Sequence, residues 1–427
     1  MPGRLRVLAV ADSDSYLKWA AATLAALPAD TGRGLVLVAC PAAPSAAQRA
    51  AALRGTEIAP ESVPTLPIGS LAARVAAEAP DVVLVATRGP QARVILRELA
   101  RLVPRPVLVS GMPGISVPAT RKALSFRHQA DLFVVHSHRE VREFRELATR
   151  NGWTRPIALA RLPFAASGGT PEPAAHGGTD LVFAVQSIVP AEADERRMIA
   201  RMLLRAAEAA PERRVIVKVR AVGAERQTHD ESHPIPELIA AEAAASRRPL
   251  PPNLVISSTS MAAALDTAEG LVTVSSTAAI EAIARGIPVI ALDTFGVSDA
   301  LINPVFSGSG LFGGEDDVVG RRFRHPSPRW LYDAYFHPAG DDDLHAHLRD
   351  LVAARRAGEL AARDDLPAAG GSLRHRWQRG RAFPGSERSV RGYLAAAVGY
   401  PTRAVVVLSR KVTRPIRVRL HPTDQTP

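Results

Sequence analysis

The sequence predicts an α/β protein of two doubly wound parallel sheets facing a cleft, followed by a basic C-terminal tail. Three observations predict it. Short, continuous apolar runs alternate with helical stretches, the pattern of parallel strands covered on both faces. That alternation stops at residues 165–179, AASGGTPEPAAHGGT, and then resumes. Late in the second series stands LVTVSSTAAIEAIARGIPVIAL, Leu271–Leu292, a βαβ unit whose first turn carries three hydroxyl residues.

Residues 5–11 (LRVLAVA) read as the first strand and Ser15–Leu27 as an amphipathic helix. Strands follow at 35–40, 82–87, 107–110, 132–136 and 157–162, with helices at 46–54, 71–79, 92–102, 119–125 and 139–151. In the second series, strands fall at 181–185, 214–219, 254–256, 271–274 and 287–292. Its helices fall at 191–210, 236–245, 261–268 and 278–285. Residues 303–340, rich in Gly, Pro and aromatics, read as an ordered loop region, and 341–360 as a further helix. Residues 364–386 read as flexible, and Ser389–Val398 as a helix that crosses back. The expected organisation is a domain over 1–164, a linker over 165–179, a domain over 180–363 and a tail over 364–427.

Composition narrows the function. The 427 residues carry 47% hydrophobic side chains, as a folded chain of two domains requires. No run approaches the roughly 18 apolar residues that span a bilayer. The opening MPGRLRVLAVADSDSYLKW reads as a buried strand rather than a signal peptide. The single cysteine, Cys40, fits a reducing cytoplasm, so the expected location is cytoplasmic, with the inner membrane face as a peripheral station. From Ser372 onward eleven Arg and one Lys face only Glu387 and Asp424, so the tail holds +10 of the net +11. The tail has few aromatics for base stacking and follows no helix-turn-helix or zinc-finger pattern, which argues against nucleic acid. An anionic membrane surface touched by 372–427, or an anionic polymer, is the expected partner; a solvated tail packing back on the protein is the alternative. Zinc spacings, a phosphate-binding G-x-x-x-x-G-K-[ST] loop, G-x-G-x-x-G after the first strand and G-x-S-x-G are all missing from the sequence.

Candidate chemistry sits where strands end, because open parallel sheets bind ligands beyond their carboxyl ends. In the first half those ends carry Asp12 to Asp14, Thr87-Arg88-Gly89, Gly111 to Gly114 and His136 to His138. Asp12-Ser13-Asp14 has three readings: a helix cap, a general base for an acceptor hydroxyl, or an Asp-x-Asp metal site. No metal is expected. In the second half, Lys218 and Arg220 project from the end of RRVIVKVR with the geometry of a diphosphate site. The loop beyond supplies Arg226, His229 and His233, and each histidine reads as a surface residue before a catalyst. Gln186, after the first strand of this half, is a further polar candidate. Ser275, Ser276 and Thr277 either cap the helix that follows or offer hydroxyls and unpaired N–H groups to a phosphate. Their position downstream of Lys218 favours phosphate. Glu281 reads equally as an acceptor for ribose hydroxyls and as an i,i+4 partner of Arg285.

These residues carry a resemblance. The arrangement resembles GT-B-type glycosyltransferases, two Rossmann-like domains with a nucleotide-sugar cleft. VSSTAAIEAIARGIPVIALD resembles the donor-binding segment of bacterial capsule-type and polysialyltransferase-like enzymes. In those enzymes a Ser-Ser/Thr pair before the helix contacts the donor phosphate, which implies that role for Ser275, Ser276 and Thr277. They often carry Lys-x-His-Pro after the preceding strand. Here the residues are Lys218-Val219-Arg220-Ala221, so Lys218 carries over and Arg220 stands where the histidine would be. ADSDSYLKW and PGISVPATRKAL also resemble a bacterial set of glycosyltransferase-like proteins without an assigned activity, with Gly114 and Ile115 on the acceptor-side loop. The resemblance covers roughly residues 5–310. It implies transfer from a nucleotide-sugar, a substrate rather than a cofactor, to a glycan or lipid-linked acceptor in cell-surface polysaccharide synthesis, with Asp14 or Asp12 as base. A sugar-nucleotide epimerase of the same architecture, or a non-catalytic module binding glycan or membrane, are the competing readings.

Overall fold

Runs such as Val7–Ala11 and Val82–Ala86 are apolar at every position and buried at every position, which is what a strand with helices on both faces demands. The computed structural model describes residues 4–162, 165, 177–219, 233–363, 371–387 and 389–401. Its first half runs β1 (Arg6–Ala11), α1 (Asp14–Ala25), β2 (Gly32–Val38), α2 (Ala46–Leu53), β3 (Thr65–Leu66), α3 (Ile68–Glu78) and β4 (Val82–Ala86). It continues with α4 (Gly89–Leu99), β5 (Val107–Gly111), α5 (Arg121–Phe126), β6 (Leu132–Val135), α6 (His138–Arg150) and β7 (Ile157–Leu159). The second half has β8 (Asp180–Ala184), α7 (Ala193–Ala209), β9 (Val215–Lys218), α8 (Ile235–Ala245), β10 (Leu254–Ser257), α9 (Met261–Leu265) and β11 (Ala268–Thr273). Next come α10 (Ala278–Ala284), β12 (Val289–Leu292), β13 (Phe312–Gly313), α11 (Glu315–Val319), α12 (Pro328–Asp333), α13 (Leu344–Arg356) and α14 (Gly371–Ala382).

The sheets are parallel throughout, in the orders β3-β2-β1-β4-β5-β6-β7 and β10-β9-β8-β11-β12-β13. Each order reverses direction once, between β1 and β4 in the first sheet and between β8 and β11 in the second. Those two reversals are the switch points where an open α/β sheet leaves a crevice for ligand. Each sheet is sandwiched between two apolar clusters. The predicted fold is therefore observed, with small additions: β3 and β13 are two-residue edge strands, too short to leave a periodic signal, and α11 and α12 order the Gly/Pro-rich region.

The chain's end departs from expectation. Helix α13 follows the second sheet in sequence, yet Leu344, Leu348 and Val352 pack into the first sheet's core. The stretch 364–386 is not an unstructured connection where it is described. Residues 371–382 form α14, anchored on α4 by Ala382 and Phe383 in the first sheet's other cluster, by a 3.0 Å bond from Gln91 Nε2 to the Ala382 carbonyl, and by Arg379–Glu98. A helical segment over 390–401 follows. Residues 402–427, the rest of the expected basic tail, lie outside the described residues. Among the described residues no helix is long and apolar enough to cross a membrane.

Candidate functional site at the two switch points

At the first switch point, Asp12 leaves β1 and Arg88 follows β4. The Asp12 side chain is fully buried, and Oδ2 accepts from Arg88 Nε at 2.9 Å and from the Arg88 backbone N–H at 3.2 Å. Oδ1 accepts from Ser13 Oγ at 3.0 Å. Burial raises the Asp12 carboxyl above its ordinary range against the pull of Arg88. This carboxylate is an internal ion-pair partner closed off from solvent, not the cleft-facing group expected from sequence. Asp14 differs. It is exposed in the first turn of α1, after Ser13, whose hydroxyl makes no capping bond. Lys18, four residues on and so on the same helix face, reaches across to Glu281 at 3.0 Å.

At the second switch point, Gln186 leaves β8 and Ser275 follows β11. The Gln186 amide oxygen accepts from the Ser275 N–H at 2.8 Å and the Thr273 hydroxyl at 3.2 Å, while Nε2 donates to Ser275 Oγ at 3.1 Å. Thr273 Oγ1 in turn accepts from the Ser276 N–H at 3.2 Å. Gln186 and Ser275 are thus committed to shaping the turn. Ser276 Oγ accepts from the Ala278 N–H at 3.2 Å, the capping role weighed from sequence. Thr277 is the N-cap of α10 but makes no side-chain capping bond, and it is half-buried.

Behind this turn stands Arg196 of α7, a residue the sequence did not single out. Its buried guanidinium donates to the carbonyls of Gln186 (2.7 Å), Ser187 (2.9 Å), Pro190 (2.9 Å) and His233 (2.9 Å). It fixes the loop that carries Gln186. Backbone carbonyl acceptors have no sequence signature, so only an arginine in an otherwise apolar helix face hinted at this role. Lys218 ends β9 as predicted, but its side chain is buried and its ammonium bonds back to the Val219 carbonyl. Arg220, Arg226 and His229 lie outside the described residues. His233 is exposed.

The carboxyl ends of the two sheets meet. Gly114, after β5, packs so tightly on Thr277 that a Cβ there would sit 3.0 Å from Thr277 Oγ1, so only glycine fits without displacement. Ile115 and Val117 continue into the second half's apolar cluster, which makes Ile115 a packing residue between the halves. Glu281 does not pair with Arg285 as one reading of the sequence had it: it bridges to Lys18, and Arg285 bonds Asp266 at 2.8 Å. Farther along the seam, buried Glu140 accepts from the Ser116 N–H (2.8 Å), the His136 N–H (2.8 Å) and the Tyr335 hydroxyl (2.7 Å). Burial, and then Glu140, push the Tyr335 phenol far up, which keeps it a donor. His136 is walled in between the Met112 and Ala160 carbonyls, with burial lowering its imidazole, and His138 pairs with Asp341 at 2.9 Å.

No set of three or more His, Cys, Asp or Glu side chains among the described residues could hold a metal ion. Two surface concavities, around Trp153–Ile157 and Leu53–Pro60, lie at the opposite, amino-terminal edges of β7 and β3.

Comparison with known proteins fits this geometry. Residues 7–351 match the model of a family described as "Putative glycosyltransferase (DUF6716)". Among solved structures, a putative UDP-N-acetylglucosamine 2-epimerase from Listeria monocytogenes is 12% identical, with 86% of this chain and 100% of that one covered at a TM-score of 0.51. The S. aureus MnaA–UDP structure is 10% identical over 86% and 100% of the chains, with a TM-score of 0.49. Phytolacca americana UGT2, complexed with UDP-2fluoro-glucose and pterostilbene, is 11% identical over 83% and 95%, with a TM-score of 0.44. At 12% identity the likeness to the Listeria structure is one of fold. No curated protein matches the chain by sequence.

Proposed function

The chain belongs to the family described as "Putative glycosyltransferase (DUF6716)", and from that premise we propose that it moves a sugar from a nucleotide-sugar to a hydroxyl acceptor held by its first half. One observation carries the reading. The Gly114 loop of one sheet abuts Thr277 of the other, so a donor seated on the Ser275–Thr277 turn has its sugar facing the first sheet's strand ends.

The second half binds the donor diphosphate. Gln186 and Thr273 hold the turn in shape, and the Thr277 hydroxyl, which makes no capping bond, is the group offered to the phosphate. The Lys218 ammonium, buried at the end of the neighbouring strand and bonded to the Val219 carbonyl, adds positive charge over a distance, and the sequence supplies a second cation in Arg220. As the bond from the anomeric carbon to the phosphate oxygen breaks, its electron pair stays on the phosphate and is stabilised by these groups. The acceptor oxygen forms the new bond to that carbon and gives its proton to Asp14, the exposed carboxylate of the pair, with Asp12 holding the loop beneath it. The acceptor is a glycan or lipid-linked hydroxyl, the class that the capsule-type resemblance implies.

The decisive experiment is calorimetric titration of UDP, CMP and GDP and their sugar conjugates into the wild type and Thr277→Val. One nucleotide class binds the wild type, and the variant binds it about tenfold or more weakly at an unchanged Tm, the loss expected for one hydrogen bond to a charged group. Equal affinity in both proteins would remove the phosphate from this turn. Conversion of UDP-N-acetylglucosamine to its epimer without an acceptor would replace transfer by isomerisation.

A further inference from the structure

Helical residues normally turn large apolar side chains inward and small or polar ones outward. The segment 390–401, VRGYLAAAVGYP, does the reverse. Gly392 and Ala395 are its buried positions, and Gly399 sits so close to Trp377 of α14 that a Cβ would lie 2.3 Å from the ring. The small residues therefore form the inner seam against α14. On the opposite side Val390 is 77% exposed, Tyr393 65%, Leu394 56% and Val398 62%. At about 100° per residue these side chains, with Tyr400, make a continuous apolar arc of roughly 160° directly opposite the glycine–alanine seam. Stripes of that kind on a protein surface mark an interaction site.

Charge identifies the occupant. Residues 371–401 contain six arginines and one carboxylate, Glu387, which already meets Arg376 at 3.2 Å. Arg374, Arg381 and Arg391 are exposed, and at about 100° per residue Arg391 falls next to Val398 at the edge of the stripe. A second copy is a poor fit, because a two-fold interface would set this basic patch against itself. The aliphatic centre of the stripe, Val390, Leu394 and Val398, offers nothing to a nucleic acid. Apolar side chains flanked by arginines are the chemistry of an anionic lipid surface, where the stripe enters the acyl boundary and the arginines meet the headgroups. With its small-residue seam packed on α14 and its apolar arc turned outward, the segment is set to lie in the interface plane.

We propose that the outward face of 390–401 docks the protein on anionic membranes. Docking there presents the first half to the lipid, since α14 carries the segment and is bonded to Gln91 in the first turn of α4, just past Arg88 at the first switch point. On the glycosyl-transfer reading, that is the half that receives the acceptor, here one held at a lipid surface; the docking itself does not depend on that reading.

The test uses the full chain and vesicles of phosphatidylcholine with or without phosphatidylglycerol, scored by flotation. The wild type floats with the anionic vesicles and not with pure phosphatidylcholine, and high salt releases it. Tyr393→Ser/Leu394→Ser/Val398→Ser, which keeps every arginine, lowers partitioning at least about tenfold, because interfacial binding scales with buried apolar area. Nucleotide affinity and Tm of the same variant stay at wild-type values, so loss of docking is separable from loss of fold or of donor binding. Undiminished flotation of the variant would overturn the proposal. So would a wild-type dimer in sedimentation that the same substitutions dissolve, which would assign the stripe to a second copy.

Discussion

The two switch points are built to the same plan from different groups. Each crevice is bridged by side-chain bonds from the end of one strand to the start of the loop after its neighbour. In the first sheet the bridge is a buried ion pair, Asp12–Arg88; in the second it is a neutral amide, Gln186, against Ser275. The difference has a consequence for ligands. A buried carboxylate with its oxygens occupied by an arginine and a serine is not placed to take a proton from an acceptor, and the pair as a whole adds no net charge to its crevice. The amide fixes the turn without adding charge, which suits the second crevice to the anion site proposed there. The first switch point is rigid scaffold under an exposed Asp14; the second is a neutral, shaped turn.

Breaking the ion pair is the harshest way to test that contrast. Arg88→Ala leaves the Asp12 carboxylate buried without its cation, and stability falls by about 3–5 kcal/mol, as for other buried pairs with one partner removed. Burial already raises the Asp12 carboxyl, and losing Arg88 removes the main opposing pull, so in the variant its folded pKa lies further above the unfolded one. A group raised in this way keeps its contribution below the unfolded pKa and loses it as pH rises through the folded pKa. The deficit is therefore largest near neutrality and shrinks in acid, which urea unfolding at about pH 7.5 and about pH 5 would reveal. A deficit that grows on acidification would mean that Asp12 is not the group left stranded.

The amide bridge should cost less to remove. Gln186→Leu keeps the volume but strands the Ser275 N–H and leaves the Thr273 hydroxyl donating only its 3.4 Å bond to the Ala184 carbonyl, a loss of about 1–3 kcal/mol. Nucleotide affinity falls with it, because the turn is no longer held. Gln186→Glu keeps an acceptor for both donors yet brings a negative charge to the seat. It should retain more stability than the leucine variant while binding nucleotide worse. Thermal melts and titrations on the two variants would separate shape from charge; identical affinities would show that the crevice is not an anion seat.

How far the sequence carried this contrast depends on the range of each interaction. Strand ends were legible because buried parallel strands are continuously apolar and stop where polar residues begin, which placed Asp12, Lys218, Gln186 and Ser275 at the correct edges. Their partners were not legible. Arg88 lies 76 residues from Asp12, and Ser275 lies 89 from Gln186, so only sheet order brings them together. Glu281 shows the same limit: sequence offers the local partner Arg285, whereas the fold supplies Lys18 from 263 residues away. Helix α14 was hidden for another reason. Its arginine-rich composition reads as a solvated tail, and its anchors, Ala382 and Phe383, come only at its end.

The mildest prediction concerns the contact that joins the two switch points. Lys18 and Glu281 bridge α1 of the first half to α10 of the second at 3.0 Å, with the lysine side chain 42% exposed. Water screens a pair of that kind, so a double-mutant cycle with Lys18→Met and Glu281→Gln should give a coupling of only about 0.2–1 kcal/mol, smaller still at high salt. Its value lies in position rather than strength. Asp14 and Lys18 share a helix face, and Glu281 lies in the first turn beyond Thr277, so the bridge sets the spacing between the exposed carboxylate and the anion seat. Lys18→Met should leave nucleotide affinity within about twofold, because the seat itself is intact, the coupling being under about 1 kcal/mol. Turnover in a transfer assay should fall more than affinity, since positioning errors act on the reacting geometry. Equal losses in both would place the bridge in donor binding and not in the alignment of the two halves.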